Sequence, residues 1–394
     1  MSFDPLTSGA LDAWLNAAAA RLEAAHRLRD LRAIRPIDAV TAEIEGRLVT
    51  LFSSNDYLGL SCHPAVRAAA AEAAAAHGMG PRAAALVCGH TEAHADLEVA
   101  LARLKGTEAA LLFPTGYQAN LGVLQALGGD DATIFSDALN HASIIDGCRL
   151  ARAGAVEIYR HRDVDDLEAR LRRTTGRRVV VTDEIFSMEG TGAPLADLAA
   201  LKSRHDFTLV TDAAHATLVY GPTGAGWAEA CGVSAAVDFQ VGTLSKAVGV
   251  HGGFVACSAR GRRALLNSAR TFVFTTALPL PMVAAARAAL DVAADGALRA
   301  ALWANVGRLA PNAPGPIVSV VLGDEARALA ASHALLRAGV HVPAIRPPTV
   351  APGTSRLRVA LSAAHQPPAV LRLSALLRDA ATGGRTSSGR DSVG

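Results

Sequence analysis

From about residue 90 to 280 the chain alternates short β-rich runs with helical stretches, and this alternation restricts the fold more than any other feature. The runs are ALLF at 110, ATIF at 132, VEIY at 156, RVVVTD at 178, FTLVTD at 207, FQVGTL at 239 and GFVACS at 253. Strands separated by helix-length segments predict an α/β fold: a mostly parallel seven-stranded sheet with helices on both faces. In such sheets ligands bind beyond the carboxyl ends of the strands. Chemistry is therefore expected where these runs stop.

The flanking segments read differently. Leu11, Trp14, Leu15, Leu22, Leu28 and Leu31 recur at rough helical spacing over residues 11 to 33, which predicts an amphipathic arm ended by Pro36. In EIEGRLVTLF the pair Glu45-Gly46 predicts a hairpin turn. After Pro281 an Ala-rich segment predicts one long helix to about residue 302. The break APNAPGPI then leads into IVSVVLG, a helix with Ala328, Leu329, Leu335 and Leu336, the short run GVHV and the strand RLRVALS, a smaller α+β unit. The expected division is an arm and hairpin over 1–50, a large domain over 51–285, a small C-terminal domain over 286–380 and a disordered polar tail over 381–394.

Composition narrows the function classes. At 394 residues and 51% hydrophobic the chain can bury a large core. A net charge of +2, with no block of like charges, argues against nucleic acid as a partner. The opening MSFDPLTSGALDAWL has no basic segment leading into an apolar one, and no apolar run is long enough to span a bilayer, so a cytoplasmic location is expected. Cys62, Cys88, Cys148, Cys231 and Cys257 are scattered and odd in number, which suits small buried hydrophobes rather than disulfides or a metal centre.

Four elements carry chemistry. In VGTLSKAVGVHGG, Lys246 follows a strand among small residues together with Thr243 and Ser245; a partly desolvated lysine loses its proton more readily and can attack an aldehyde. In VTDAAH, Asp212 ends a strand three residues before His215, where a carboxylate can hold a protonated pyridine nitrogen or simply cap a turn. In LLFPTGYQANLGVL, a turn at Thr115, Gly116 and Tyr117 opens a helix whose N-terminal amides suit a phosphate. In IFSDALNHASIIDG, His141 lies between strand and helix, placed to stack on a flat ring or to act as a cap.

Together these strings resemble the α-oxoamine synthase family of fold-type I pyridoxal phosphate (PLP) enzymes, from SSNDYLGL to RLRVALSAAH. Within it, HGMGPR, GTLSKAVGVHGGF and AIRPPTV look most like the plant-like branch that serves biotin synthesis. The resemblance implies an aspartate aminotransferase-like fold with a large and a small domain, and Lys246 as the lysine that bonds the cofactor. Asp212 would pair with the ring nitrogen, His141 stack on the ring and His215 reach its hydroxyl oxygen. Gly116, Tyr117, Thr243 and Ser245 would seat the phosphate, joined by Thr276 of a second copy in a homodimer. Ser187 and Asn55 would line the pocket, with Ser187 among the catalytic group, and Arg346 would hold the amino-acid carboxylate. No metal is implied.

The implied reaction is decarboxylative condensation of L-alanine with a pimeloyl thioester of CoA or an acyl-carrier protein; the alternative is glycine with a short acyl-CoA. Two strings depart from the family pattern. PRAAAL stands where a glycine-rich segment is usual, and AHATL puts Ala216 and Leu218 where glycines are usual, changes expected to narrow the acyl channel.

Overall fold

The computed structural model describes residues 9–382, so the expected polar tail lies outside the described residues from 383 onward. The chain divides into two units. The larger comprises Ser54–Ile317 with Leu361–His365, and the smaller Met1–Ser53, Val318–Ala360 and Gln366–Gly394.

All seven β-rich runs form strands of one sheet in the larger unit: β1 (Ala109–Phe113), β2 (Ala132–Asp137), β3 (Ala155–Tyr159), β4 (Arg177–Asp183), β5 (Thr208–Asp212), β6 (Phe239–Thr243) and β7 (Gly253–Cys257). Their order is β1-β7-β6-β5-β4-β2-β3. Strands β2 to β6 pair in parallel, while β7 runs antiparallel to both β6 and β1. The reversal has a simple cause. Residues 244–252 are too few for the crossover that a parallel neighbour requires, so the chain turns straight back. That turn is the segment carrying Lys246.

Alternation within the strands buries both faces. Val179 and Val181 of β4 pack with Leu111, Val123, Ile134 and Ile144, whereas Val180 between them joins Phe135, Leu167, Leu198 and Leu201 on the opposite face. Each fully buried aliphatic side chain contributes roughly 1.5–3 kcal/mol relative to exposure. The helices Gly116–Leu127 and Ala142–Leu150 cover the first face, and Val164–Leu171 and Leu195–Arg204 the second.

Two ionisable side chains also lie near each other inside this unit. Lys105 is 1% exposed and Glu184 0%, and both crowd Gly226, where an added Cβ would come 2.8 Å from Glu184 Oε2 and 3.3 Å from Lys105 Nζ. Lys105 Nζ donates to the Ala225 carbonyl. Glu184 accepts from Trp227 N at 2.8 Å and from Thr211 Oγ1 at 3.0 Å. Burial pushes the Lys105 ammonium pKa down and the Glu184 carboxyl pKa up, and in each case the partner's charge opposes the shift.

In the smaller unit, Thr41–Ile44 and Arg47–Leu51 pair antiparallel about Glu45 and Gly46, whose φ values of 53° and 74° are the left-handed pair that a tight hairpin turn needs. Val340–His341 adds to Arg47–Leu51 in parallel, so segments far apart in sequence share one sheet. The arm differs from expectation. Its helix is Gly9–Ala24, with no buried residue, and Pro36 does not end it but closes the edge strand Ile34–Pro36, a position where a missing N–H costs no ladder bond.

The Ala-rich helix of the larger unit is likewise two, Leu280–Ala293 and Ala297–Leu309. Gly296 takes φ 75° between them and Asp295 Oδ1 caps Ala297 N at 2.9 Å, so a local turn overrides alanine propensity. Of the cysteines, all free, Cys148 and Cys257 are buried, with thiols pushed up to about 11 and about 12 by burial. Cys88 is exposed, against the expected burial, on the helical turn Ala85–Gly89. Among the described residues, no helix is long and apolar enough to cross a membrane, and no three His, Cys, Asp or Glu side chains are disposed to hold a metal.

Candidate active site

The carboxyl ends of five strands deliver the side chains singled out in the sequence. β1 leads to Thr115, whose Oγ1 caps the helix Gly116–Leu127 by accepting from Gln118 N at 3.1 Å. β2 leads to His141, at the start of the helix Ala142–Leu150. β4 ends at Asp183 and is followed by the half-buried Ser187; β5 ends at Asp212; β6 leads to Thr243, Ser245 and Lys246.

Asp183 and Asp212 are directly paired across β4 and β5, which sets two buried carboxyls side by side. Asp212 is pinned by Asn120 Nδ2 at 2.6 Å on one oxygen and by Ala214 N at 2.8 Å on the other. Asn120 Nδ2 also donates to Ser143 Oγ at 2.9 Å. Asp183 accepts the backbone N–H of His141 at 2.7 Å, which ties the histidine to the neighbouring strand end. Burial, reinforced by the charge of Asp212, pushes the Asp183 carboxyl well above the ordinary carboxylate range.

His141 keeps one side open to solvent, while the protein around the rest of it holds its pKa below the ordinary histidine value; Asp212 opposes that shift and Lys246 adds to it. Its Nδ1 lies 2.7 Å from Ser143 Oγ, and the Tyr117 ring stands edge-on to it with centroids 6.3 Å apart. The exposed Tyr117 hydroxyl donates to Asp146.

Lys246 is half-buried, and its Nζ lies 2.8 Å from Nε2 of the buried His215. The other imidazole nitrogen, Nδ1, is 2.7 Å from the hydroxyl of Tyr57, which is 0% exposed. Tyr57 in turn reaches Asn55 Oδ1 at 3.3 Å. Thr243 Oγ1 and Ser245 Oγ are 2.7 Å apart, and Thr243 also donates to the Gly252 carbonyl at 2.9 Å.

The turn expected to seat a phosphate, Thr115 to Tyr117, is backed by β7. A Cβ on Gly253 would fall 2.3 Å from the Thr115 carbonyl carbon and 2.4 Å from Gly116 N, so only glycine lets this strand support the turn. Gly253→Ala is expected to cost about 1–3 kcal/mol of stability through overpacking. It should also weaken phosphate-dependent cofactor retention, read by denaturant unfolding and by equilibrium dialysis. Unchanged retention would show that the turn does not hold the phosphate.

Two of the expected residues are not carried by these strand ends. Thr276 is exposed in an antiparallel bridge with Ala84, which lies within the string PRAAAL. Arg346 belongs to the smaller unit, where its guanidinium donates to the His26 carbonyl and burial lowers its pKa, with Arg29 adding to the shift. At the second departure, Ala216 and Leu218 are both buried, and Leu218 adopts φ 62°, the left-handed conformation that glycine accepts without strain.

Sequence reasoning missed Tyr57, Asn120, Ser143 and Asp183. Tyr57 and Asn120 lie inside the quoted strings SSNDYLGL and GYQAN, which was the available signal; Asp183 shows only through its register with Asp212.

The donor set suits pyridoxal phosphate: a carboxylate held by two donors, a lysine beside a histidine, and hydroxyls near a helix N-terminus. The family described as "Aminotransferase class I and II" matches residues 47–375. The 8-amino-7-oxononanoate synthase of Anaeromyxobacter dehalogenans (strain 2CP-1) is 52% identical, covering 91% of this chain and 93% of its own. Its counterpart in Arabidopsis thaliana is 47% identical over 83% and 74% respectively. Among solved structures, Sphingomonas wittichii serine palmitoyltransferase superposes with a TM-score of 0.89 at 34% identity, covering 95% of this chain and 98% of that one. A second such structure, holding PLP, gives a TM-score of 0.89 at 31% identity, with the same coverage of both chains. On this scaffold, site and likeness, the chain belongs to the class I and II aminotransferase family, in its α-oxoamine synthase group of PLP enzymes.

Proposed function

We propose that the protein condenses L-alanine with a pimeloyl thioester, releasing CO2 and the free thiol carrier and giving 8-amino-7-oxononanoate for biotin synthesis. The observation that carries this reading is the placing of Lys246, His215, Asp212 and His141 at the carboxyl ends of β6, β5 and β2 of one sheet, in a chain 43–52% identical to relatives named 8-amino-7-oxononanoate synthase.

Bound pyridoxal phosphate supplies an electron-withdrawing ring that stabilises the electron pair left at the amino acid's α-carbon. The protein's own groups do the rest. Lys246 would hold the cofactor through its ε-amine and, with the amino acid bound, would be the base that takes the α-proton and later the acid that returns one. Asp212, held by Asn120 and Ala214 N, would keep the ring nitrogen protonated. His141, with its depressed pKa, presents a neutral ring suited to stacking. Ser187 and His141 would donate to the substrate carbonyl, and Asn55 would line the pocket. The amides of Gly116 and Tyr117 and the hydroxyls of Thr243 and Ser245 would hold the phosphate. Arg346 would hold the amino-acid carboxylate, and Thr276 would complete the phosphate seat of a second copy in a cytoplasmic homodimer.

The likeness to serine palmitoyltransferase favours a second reading, a longer acyl donor with serine. Thiol release across a panel of amino acids and acyl thioesters separates them. L-Alanine with pimeloyl-CoA is expected to exceed serine with palmitoyl-CoA, and glycine with acetyl-CoA, by about tenfold or more, the usual range for apolar-pocket discrimination. Activity confined to either rival pair would overturn the proposal.

A further inference from the structure

We infer that Tyr57 is a positioning residue that lets His215 take the proton from Lys246 before the lysine captures its cofactor. The inference rests on the cofactor reading above and extends it to a residue with no assigned part. Four groups form a chain: Lys246 Nζ to His215 Nε2 at 2.8 Å, His215 Nδ1 to Tyr57 Oη at 2.7 Å, and Tyr57 Oη to Asn55 Oδ1 at 3.3 Å.

The polarity of the chain follows from its ends. The amide oxygen of Asn55 can only accept, so the phenol donates to it and presents a lone pair to the imidazole. Nδ1 therefore carries the hydrogen, and Nε2 turns its lone pair on the lysine. An ammonium at Lys246 donates to that lone pair. Proton transfer from Nζ to Nε2 leaves a neutral amine and an imidazolium whose Nδ1–H still has Tyr57 as acceptor. The amine then attacks the aldehyde carbon of pyridoxal phosphate and water leaves, with the imidazolium proton available to the departing oxygen.

Tyr57 matters because hydrogen bonds to a charged group are stronger than those to a neutral one. It stabilises imidazolium over imidazole and so draws the proton off the lysine. The phenol is fully buried, so water cannot take its place. Other charges nearby remain the same in a Tyr57 variant: Asp183 and His141 both sense Lys246, Asp212 lies three residues before His215, and Tyr220 senses Tyr57.

The test measures capture of pyridoxal phosphate by the apoprotein against pH, trapping the lysine with borohydride and locating the label by peptide mapping. Tyr57→Phe is expected to move the midpoint of the capture profile to higher pH by up to about one unit, slowing capture near neutrality by about tenfold, from the difference between charged and neutral hydrogen bonds. At high pH, where the amine is already neutral, variant and wild type should converge. A profile of unchanged midpoint, or a uniform slowing at every pH, overturns the role and leaves only packing. If the wild-type protein itself captures no pyridoxal phosphate at Lys246, it is the cofactor reading that fails. Should Tyr57→Phe fold poorly, Asn55→Ala tests the same chain: loss of the terminal acceptor lets the phenol donate to Nδ1, so that Nε2 carries the hydrogen and faces the lysine as a donor, which is expected to move the midpoint, and an unmoved midpoint again overturns the inference.

Discussion

Replacing Lys246 by alanine is expected to lower turnover by about ten-thousandfold, the upper end of what a positioned acid–base group supplies, and to abolish borohydride-trappable capture of the cofactor. Both losses come from one atom. In the proposed reaction Nζ is the nucleophile at rest and the proton carrier at the substrate α-carbon, and nothing else among the described groups joins an amine to that position between His215 and the end of β6. Stability should hardly change, because Lys246 lies on the half-buried turn between β6 and β7 rather than in the sheet. Lys246→Arg separates charge from chemistry, since a guanidinium keeps the charge but cannot be deprotonated to attack. Turnover by either variant within tenfold of wild type would remove Lys246 from the reaction.

Lys105→Met is expected to cost about 1–3 kcal/mol of stability, because it leaves the buried Ala225 carbonyl without its donor and removes the ammonium whose charge favours the Glu184 carboxylate. Glu184 would then hold a proton or sit uncompensated under Trp227 N and Thr211 Oγ1. Adding Glu184→Gln should recover part of that loss, because an amide needs no counter-charge: its one oxygen can still accept from Trp227 N, while the Thr211 hydroxyl can turn to accept from the amide nitrogen. The unrecovered part belongs to the Ala225 carbonyl, which loses the lysine in both variants. Denaturant unfolding of both single variants and the double variant gives the coupling. Additive losses would show that the two charges do not support each other.

The seven strands and the main site groups were legible for a shared physical reason. A buried parallel strand must be a short apolar run, and its carboxyl end must hand over to a loop, so Lys246, Asp212 and His141 announce themselves as polar residues where apolar runs stop. What escaped were relations between distant segments. Asp183 reads as an ordinary strand-end residue until β4 and β5 align it with Asp212. Lys105 and Glu184 look like surface charges until the fold closes over both. The direction of β7 is a matter of loop length rather than composition, and the break at Gly296 depends on a local cap that overall alanine content obscures.

The return of Leu361–His365 to the larger unit bears on how the protein is made. Ser362 Oγ donates to the Asp56 carbonyl at 2.8 Å and Ala363 N to the Tyr57 carbonyl at 2.7 Å, while Asn305 Nδ2 donates to the carbonyls of Ser362 and His365. Residues near the start of this unit thus wait on a pentapeptide translated after its seven-stranded sheet is complete. During synthesis the sheet can form on the ribosome, but the backbone around Tyr57 gains its last hydrogen bonds only when residue 363 has left the exit tunnel. A nascent chain stalled before that point would carry Lys246 without the finished support of its histidine relay.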